Sequence, residues 1–146
     1  MPRYMILIKA SPTAEDPSAA SPEIFQEMAT FNEQLHAAGV LLSGEGLSPT
    51  KDGYRVTYSK DGPAQVTNGP FDVEKEGHVC GWWILKTKNG EEAVSWAKKI
   101  PFKEGEVTVR RIAELEDFGD SITDDVRERE KKLAKDLERK QEEKSG

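Results

Sequence analysis

Residues 79–85, Val-Cys-Gly-Trp-Trp-Ile-Leu, run seven positions without a charge. A strand with one wet face alternates polar and apolar residues, so this run predicts a strand buried on both faces. It is entered through a different kind of sequence. Asn68-Gly69-Pro70 makes a turn, and acids and a lysine crowd residues 72–76. The stretch 66–85 therefore reads as a charged loop at the mouth of a buried strand. A site, if the chain has one, is expected beside that loop.

A second apolar run, Tyr-Met-Ile-Leu-Ile at 4–8, predicts a second strand of the same kind. Three prolines between 10 and 22 make the next segment a loop. Ser21-Pro22-Glu23 has the chemistry of a helix start. Ile24, Met28, Phe31, Leu35 and Ala38 follow at helical spacing, and Gly39 stops the helix. Residues 40–47 read as a strand whose Gly44 and Gly46 mark a bulge or a close approach by another group. Residues 54–59 and 64–67 flank Asp61-Gly62 and predict a hairpin, inserted at the edge of the main sheet. A strand over 79–86, a helix from Gly90 to Pro101 and a strand over 106–113 complete the body. The order strand, helix, strand, hairpin, strand, helix, strand predicts a ferredoxin-like α+β sandwich. Helices cover one face of such a sheet. The other face needs cover too, and a second copy of the chain is the economical source, so a homodimer through the sheet face is expected.

The chain divides at residues 118 and 119 into this domain and a linker with a charged helix. Residues 121–146 hold eight basic and eight acidic side chains, so the net charge of −6 resides in 1–120. An acidic body excludes a nucleic-acid surface, which needs clustered Lys and Arg. No segment has the length and apolarity of a membrane span or a signal peptide, so no membrane contact and a cytoplasmic location are expected. Cys80 is the sole cysteine and excludes an internal disulfide. With only two histidines beside it, no metal site is expected, and the absence of a glycine-rich phosphate loop predicts no cofactor.

Several separated segments together resemble the YCII-related family, in its branch named for a DGPF motif. They are YMILI at 4–8, the stretch 31–49, VTNGPF at 66–71 with Lys75-Glu76, GWWIL at 81–85, and the stretches 91–101 and 107–112. The resemblance implies a dimeric α/β barrel. It also implies that the chain is similar to proteins of mostly unassigned function, a few of which resemble small enzymes using a His–Asp pair for acid–base chemistry. Some relatives accompany or are fused to sigma factors. This chain departs at the motif itself: Asn68 stands where the branch has Asp, and an amide cannot titrate.

His78 and Asp72 are the expected catalytic pair for lyase or isomerase-type proton transfer, since a nearby carboxylate orients a histidine and favours its charged form. Asn68, Glu45 and Arg110 are the expected ligand-binding residues for a small polar metabolite. The competing expectation for each is structural: a turn at Asn68, a bulge at Glu45, an ion pair at Arg110. His36 reads as a surface helix residue near Asn32. Trp82 and Trp83, being adjacent in a strand, point to opposite faces. A non-catalytic homodimer that binds another protein or regulates one is the alternative function.

Overall fold

The computed structural model describes residues 1–145 and separates into two units, Met1–Ile112 and the segment from Ala113 onward. The first unit holds strand β1 (Arg3–Lys9), helix α1 (Pro22–Ala37), strands β2 (Leu41–Gly46), β3 (Tyr54–Ser59) and β4 (Gly62–Asn68), the single-turn helix α2 (Val73–Glu76), strand β5 (Val79–Lys86), helix α3 (Gly90–Ala97) and strand β6 (Val107–Arg111). Four strands make one antiparallel sheet in the order β2-β5-β1-β6. With α1 after β1 and α3 after β5, this is the ferredoxin-like α+β arrangement.

Alternation along the strands decides which side chains enter the core. Ile6 faces Trp83 across the β1–β5 pair, and Tyr4 faces Leu85. Ile6, Trp83 and Leu85 are buried with Phe31 and Leu35 of α1, and with Ile100 just beyond α3. Burying each such side chain contributes about 1.5–3 kcal/mol. Phe31 meets Trp83 edge-on, with ring centroids 5.6 Å apart. The α1 stripe begins after Pro22 in the first turn and ends at Gly39, whose φ of 73° is the left-handed stop that glycine adopts most readily.

The helices cover one face only. Met5, Leu7, Trp82 and Ile84 lie between the core-facing positions and are half-buried. Burial on both faces of β5, read from its unbroken apolar run, is thus completed on one face within the chain. The hairpin departs further from expectation. β3 and β4 form a two-stranded sheet of their own and do not join the edge of the main one. Tyr54, Val56, Tyr58 and Val66 on this ribbon are exposed. An alternating strand pattern signals one apolar face, and says nothing about which sheet receives it.

Of the two readings of the β2 glycines, close approach holds at Gly44, whereas the bulge lies upstream of them and Gly44, Glu45 and Gly46 pair in regular register with Trp83, Trp82 and Gly81. The register slips between Leu41 and Ser43, making Leu42 the extra residue of a bulge. At Gly44 another group does come close: a Cβ there would lie 2.8 Å from Trp83 Cδ1 and 3.2 Å from the Trp82 carbonyl oxygen.

In the second unit, Leu115–Ser121 forms 3-10 turns and α4 spans Asp124–Ser145. Thr123 Oγ1 accepts from the Val126 N–H at 3.3 Å and caps α4. Ion pairs such as Arg129–Asp125 at 3.6 Å lie along its exposed surface and support it weakly. Among the described residues no helix is long and apolar enough to cross a membrane.

Gly44 and Gly46 make a matched stability test. Gly44→Ala drives a methyl into Trp83 and lowers unfolding free energy by about 1–3 kcal/mol. At Gly46 an added Cβ meets nothing within 4 Å, so Gly46→Ala stays within about 1 kcal/mol of the parent, on its stable side. Urea unfolding of the two variants measures the difference, and equal costs would show that Trp83 does not pack on the β2 backbone.

Candidate functional site

The polar residues gather where β5 begins. Asp72 caps α2, its carboxylate accepting the Lys75 N–H at 3.0 Å. Val73 is buried and pins that single turn to the body. Gly77, with φ of 71°, ends the turn in a left-handed conformation. The chain then reverses, bringing Glu76 and His78 side by side. His78 Nε2 lies 2.8 Å from Glu76 Oε2. The Arg55 guanidinium, from β3, bonds the same carboxylate oxygen. Phe71 supplies the apolar surface for both partners. The His78 ring stacks on it with centroids 5.4 Å apart and planes 7° from parallel, and the Arg55 guanidinium carbon sits 4.2 Å from the ring centre.

Glu76 is held below the usual carboxylate range chiefly by its hydrogen bond to His78; burial opposes this, and the Arg55 charge adds a smaller lowering. Glu15 is held low as well. Its carboxylate accepts the Thr50 N–H at 2.8 Å and the Thr50 hydroxyl, with a lesser contribution from the His78 charge. The Thr50 hydroxyl in turn accepts the Phe71 N–H at 2.8 Å. Glu15 thus fastens the segment around Thr50, and through it Phe71, from a 3-10 turn that is distant in sequence. Burial, aided by the Glu15 charge, pushes the Cys80 thiol up.

The expected pair is therefore rearranged. His78 is partnered by Glu76, and Asp72 is a helix cap with its oxygen turned to Lys75. The proximity of three acids in the loop was legible, but which one meets the imidazole depends on a helical turn of only four residues. Asn68 ends β4 opposite Tyr54 and is exposed. Glu45 lies on β2 and Arg110 on β6, the two edges of the main sheet. Three strand spacings separate those edges, about 14 Å, so Glu45 and Arg110 do not converge on one small ligand within a chain. His36 is exposed near the end of α1. Glu15, Thr50 and Arg55 are the members that the sequence did not disclose. The acidic pair Glu15-Asp16 in a proline-rich loop was the available signal for Glu15. Among the described residues no group of three or more His, Cys, Asp or Glu side chains is placed to hold a metal ion.

Glu76 has a native value below the ordinary 4.5, so its contribution to stability is present above pH 4.5 and is lost as the pH falls through the lower native value. In His78→Gln the main cause of the lowering is gone, and the Glu76 carboxyl titrates closer to 4.5. Asp72→Asn leaves the Glu76 titration where it was. Carbon-13 NMR of the Glu76 carboxyl reads both variants; a response to Asp72 and none to His78 would refute the pairing.

A family model described as the YCII-related domain matches residues 2–116. No curated protein matches the chain.

Proposed function

The chain belongs to the YCII-related family, and on that premise we propose that it binds a small polar metabolite beside residues 68–78, with His78 as the proton-transfer group and Glu76 as the residue that orients it. The observation that carries this reading is the 2.8 Å contact between His78 Nε2 and Glu76 Oε2, beside a ring already seated on Phe71. A carboxylate accepts, so the neutral imidazole donates from Nε2 and leaves the lone pair on Nδ1. Nδ1 has no protein hydrogen bond among the described residues, and the side chain keeps 27% of its surface exposed. That is the arrangement of a general base: Glu76 orients the ring and stabilises the imidazolium formed when Nδ1 takes a proton. Removal of a proton beside a carbonyl, followed by its return or by loss of a leaving group, is isomerase or lyase-type chemistry. Asn68 adds a neutral hydrogen-bonding amide on the same segment.

The protein works as a homodimer in this reading, its second copy covering Met5, Leu7, Trp82 and Ile84. Each lies on the face that α1 and α3 leave uncovered, and an isologous sheet contact hides all of them at once. One observation favours the non-catalytic alternative: the exposed aromatic and aliphatic side chains of the β3–β4 ribbon have the composition of a protein-binding surface.

Light scattering at micromolar concentration should return twice the 16.3 kDa chain mass, and Ile84→Glu should return a single chain mass. A monomeric parent protein would remove the dimer. For the chemistry, a thermal-shift screen of small keto and carboxylic acids identifies a stabilising metabolite. Its exchange of carbon-bound hydrogen in deuterium oxide is then followed by NMR. His78→Gln slows that exchange by about 10²–10⁴-fold. Stabilisation with no exchange by the parent protein leaves a binding protein and no enzyme.

A further inference from the structure

A cleft of about 430 Å³ opens between α1 and the β2–β5 edge of the sheet, within the range of small-molecule sites. Its floor is backbone. Gly46 pairs with Gly81, and Gly44 with Trp83, so beyond Leu41, which also lines the cleft, the β2 positions directed towards α1 carry no side chain. A Cβ at Gly46 would enter open space, whereas one at Gly81 would lie 3.1 Å from the Glu45 carbonyl oxygen. The walls are apolar, with Phe25 and Met28 on α1 and Trp83 on β5.

One polar group in this wall has a fixed orientation. Trp83 Nε1 donates to Asn32 Oδ1 at 2.8 Å. An indole nitrogen can only donate, so the oxygen of Asn32 must be the atom facing Trp83. The Asn32 NH₂ is thereby directed elsewhere, and it has no protein partner among the described residues. Trp83 is itself buried and gripped edge-on by Phe31, so the amide is held by a rigid neighbour. The result is a flat apolar slot with a preset pair of hydrogen-bond donors at its rim.

We propose that this cleft is a second binding site, distinct from the His78–Glu76 pair, for a neutral planar aromatic compound that carries a carbonyl oxygen. The ring lies over the glycine backbone against Phe25, Met28 and Trp83. The carbonyl oxygen accepts from the Asn32 amide. The floor admits a ring because Gly44 and Gly46 put no side chain on it, and an acceptor such as a carbonyl oxygen satisfies the amide while the Trp83 N–H stays with Asn32 Oδ1.

Acetophenone is the probe, with benzylamine as a cationic comparator that cannot accept from the amide. Both are titrated into the full chain while the Trp83 indole N–H and the Asn32 side-chain amide are observed by nitrogen-15 NMR. Acetophenone is expected to shift both signals to saturation. Gly46→Val places its Cβ in open space and its methyls in the cleft, and should weaken acetophenone at least about tenfold. Asn32→Asp keeps an oxygen for Trp83 and removes the donors, and should weaken it by about tenfold, the value of one hydrogen bond of about 1.4 kcal/mol. Circular dichroism of each variant shows that the fold is intact. Shifts that fail to saturate, a Gly46→Val protein that binds as well as the parent, or tighter binding of benzylamine than of acetophenone would each overturn the assignment. Loss of activity at His78 would not affect any of these readings.

Discussion

The pairing of β1 with β5 is the contact on which the other elements depend. These two strands are central in the sheet, and each contributes large side chains to the same face. Ile6 and Trp83 are opposite each other there, and Phe31 and Leu35 of α1 close over them. Without that pair neither helix has a surface to cover, and β2 and β6 lose the strands that carry them. The same pair positions the polar cluster. His78 immediately precedes β5, and the Ala10 N–H, just past β1, bonds its carbonyl at 2.7 Å. The backbone at His78 is therefore held by the sheet, while its side chain remains partly exposed.

This explains how much of the fold was legible. The apolar runs at 4–8 and 79–85 and the α1 stripe at 24, 28, 31 and 35 are local patterns whose periods match their elements. The ferredoxin-like order followed from them, because that topology buries both helices on one face. The hairpin was recognised, and its separation from the main sheet was not. Tyr54, Val56 and Tyr58 alternate just as an edge strand of the main sheet would, and alternation is blind to the identity of the neighbour.

The cluster at the start of β5 was located and then assembled differently. Acids at 72, 74 and 76 are chemically equivalent on paper. The α2 turn distinguishes them, committing Asp72 to the Lys75 N–H and presenting Glu76 to the imidazole. Arg55 and Glu15 enter from segments 21 and 35 residues away from their partners. Contacts at such separations leave no periodic signature in the chain. What the sequence does show at these positions is an unspent charge, and only the three-dimensional path of the backbone reveals which charge it meets.

Cys80 lies two residues beyond His78, partly buried, with its thiol pushed up by that burial and by Glu15. Alkylating and oxidising reagents attack the thiolate, and the folded chain offers very little of it at neutral pH. As the sole sulfhydryl in the sequence, it is slow to form cross-links between chains during storage. Its reaction with a maleimide would accelerate when the start of β5 lifts away from its surroundings, so one colourless side chain reports local opening at this end of the sheet.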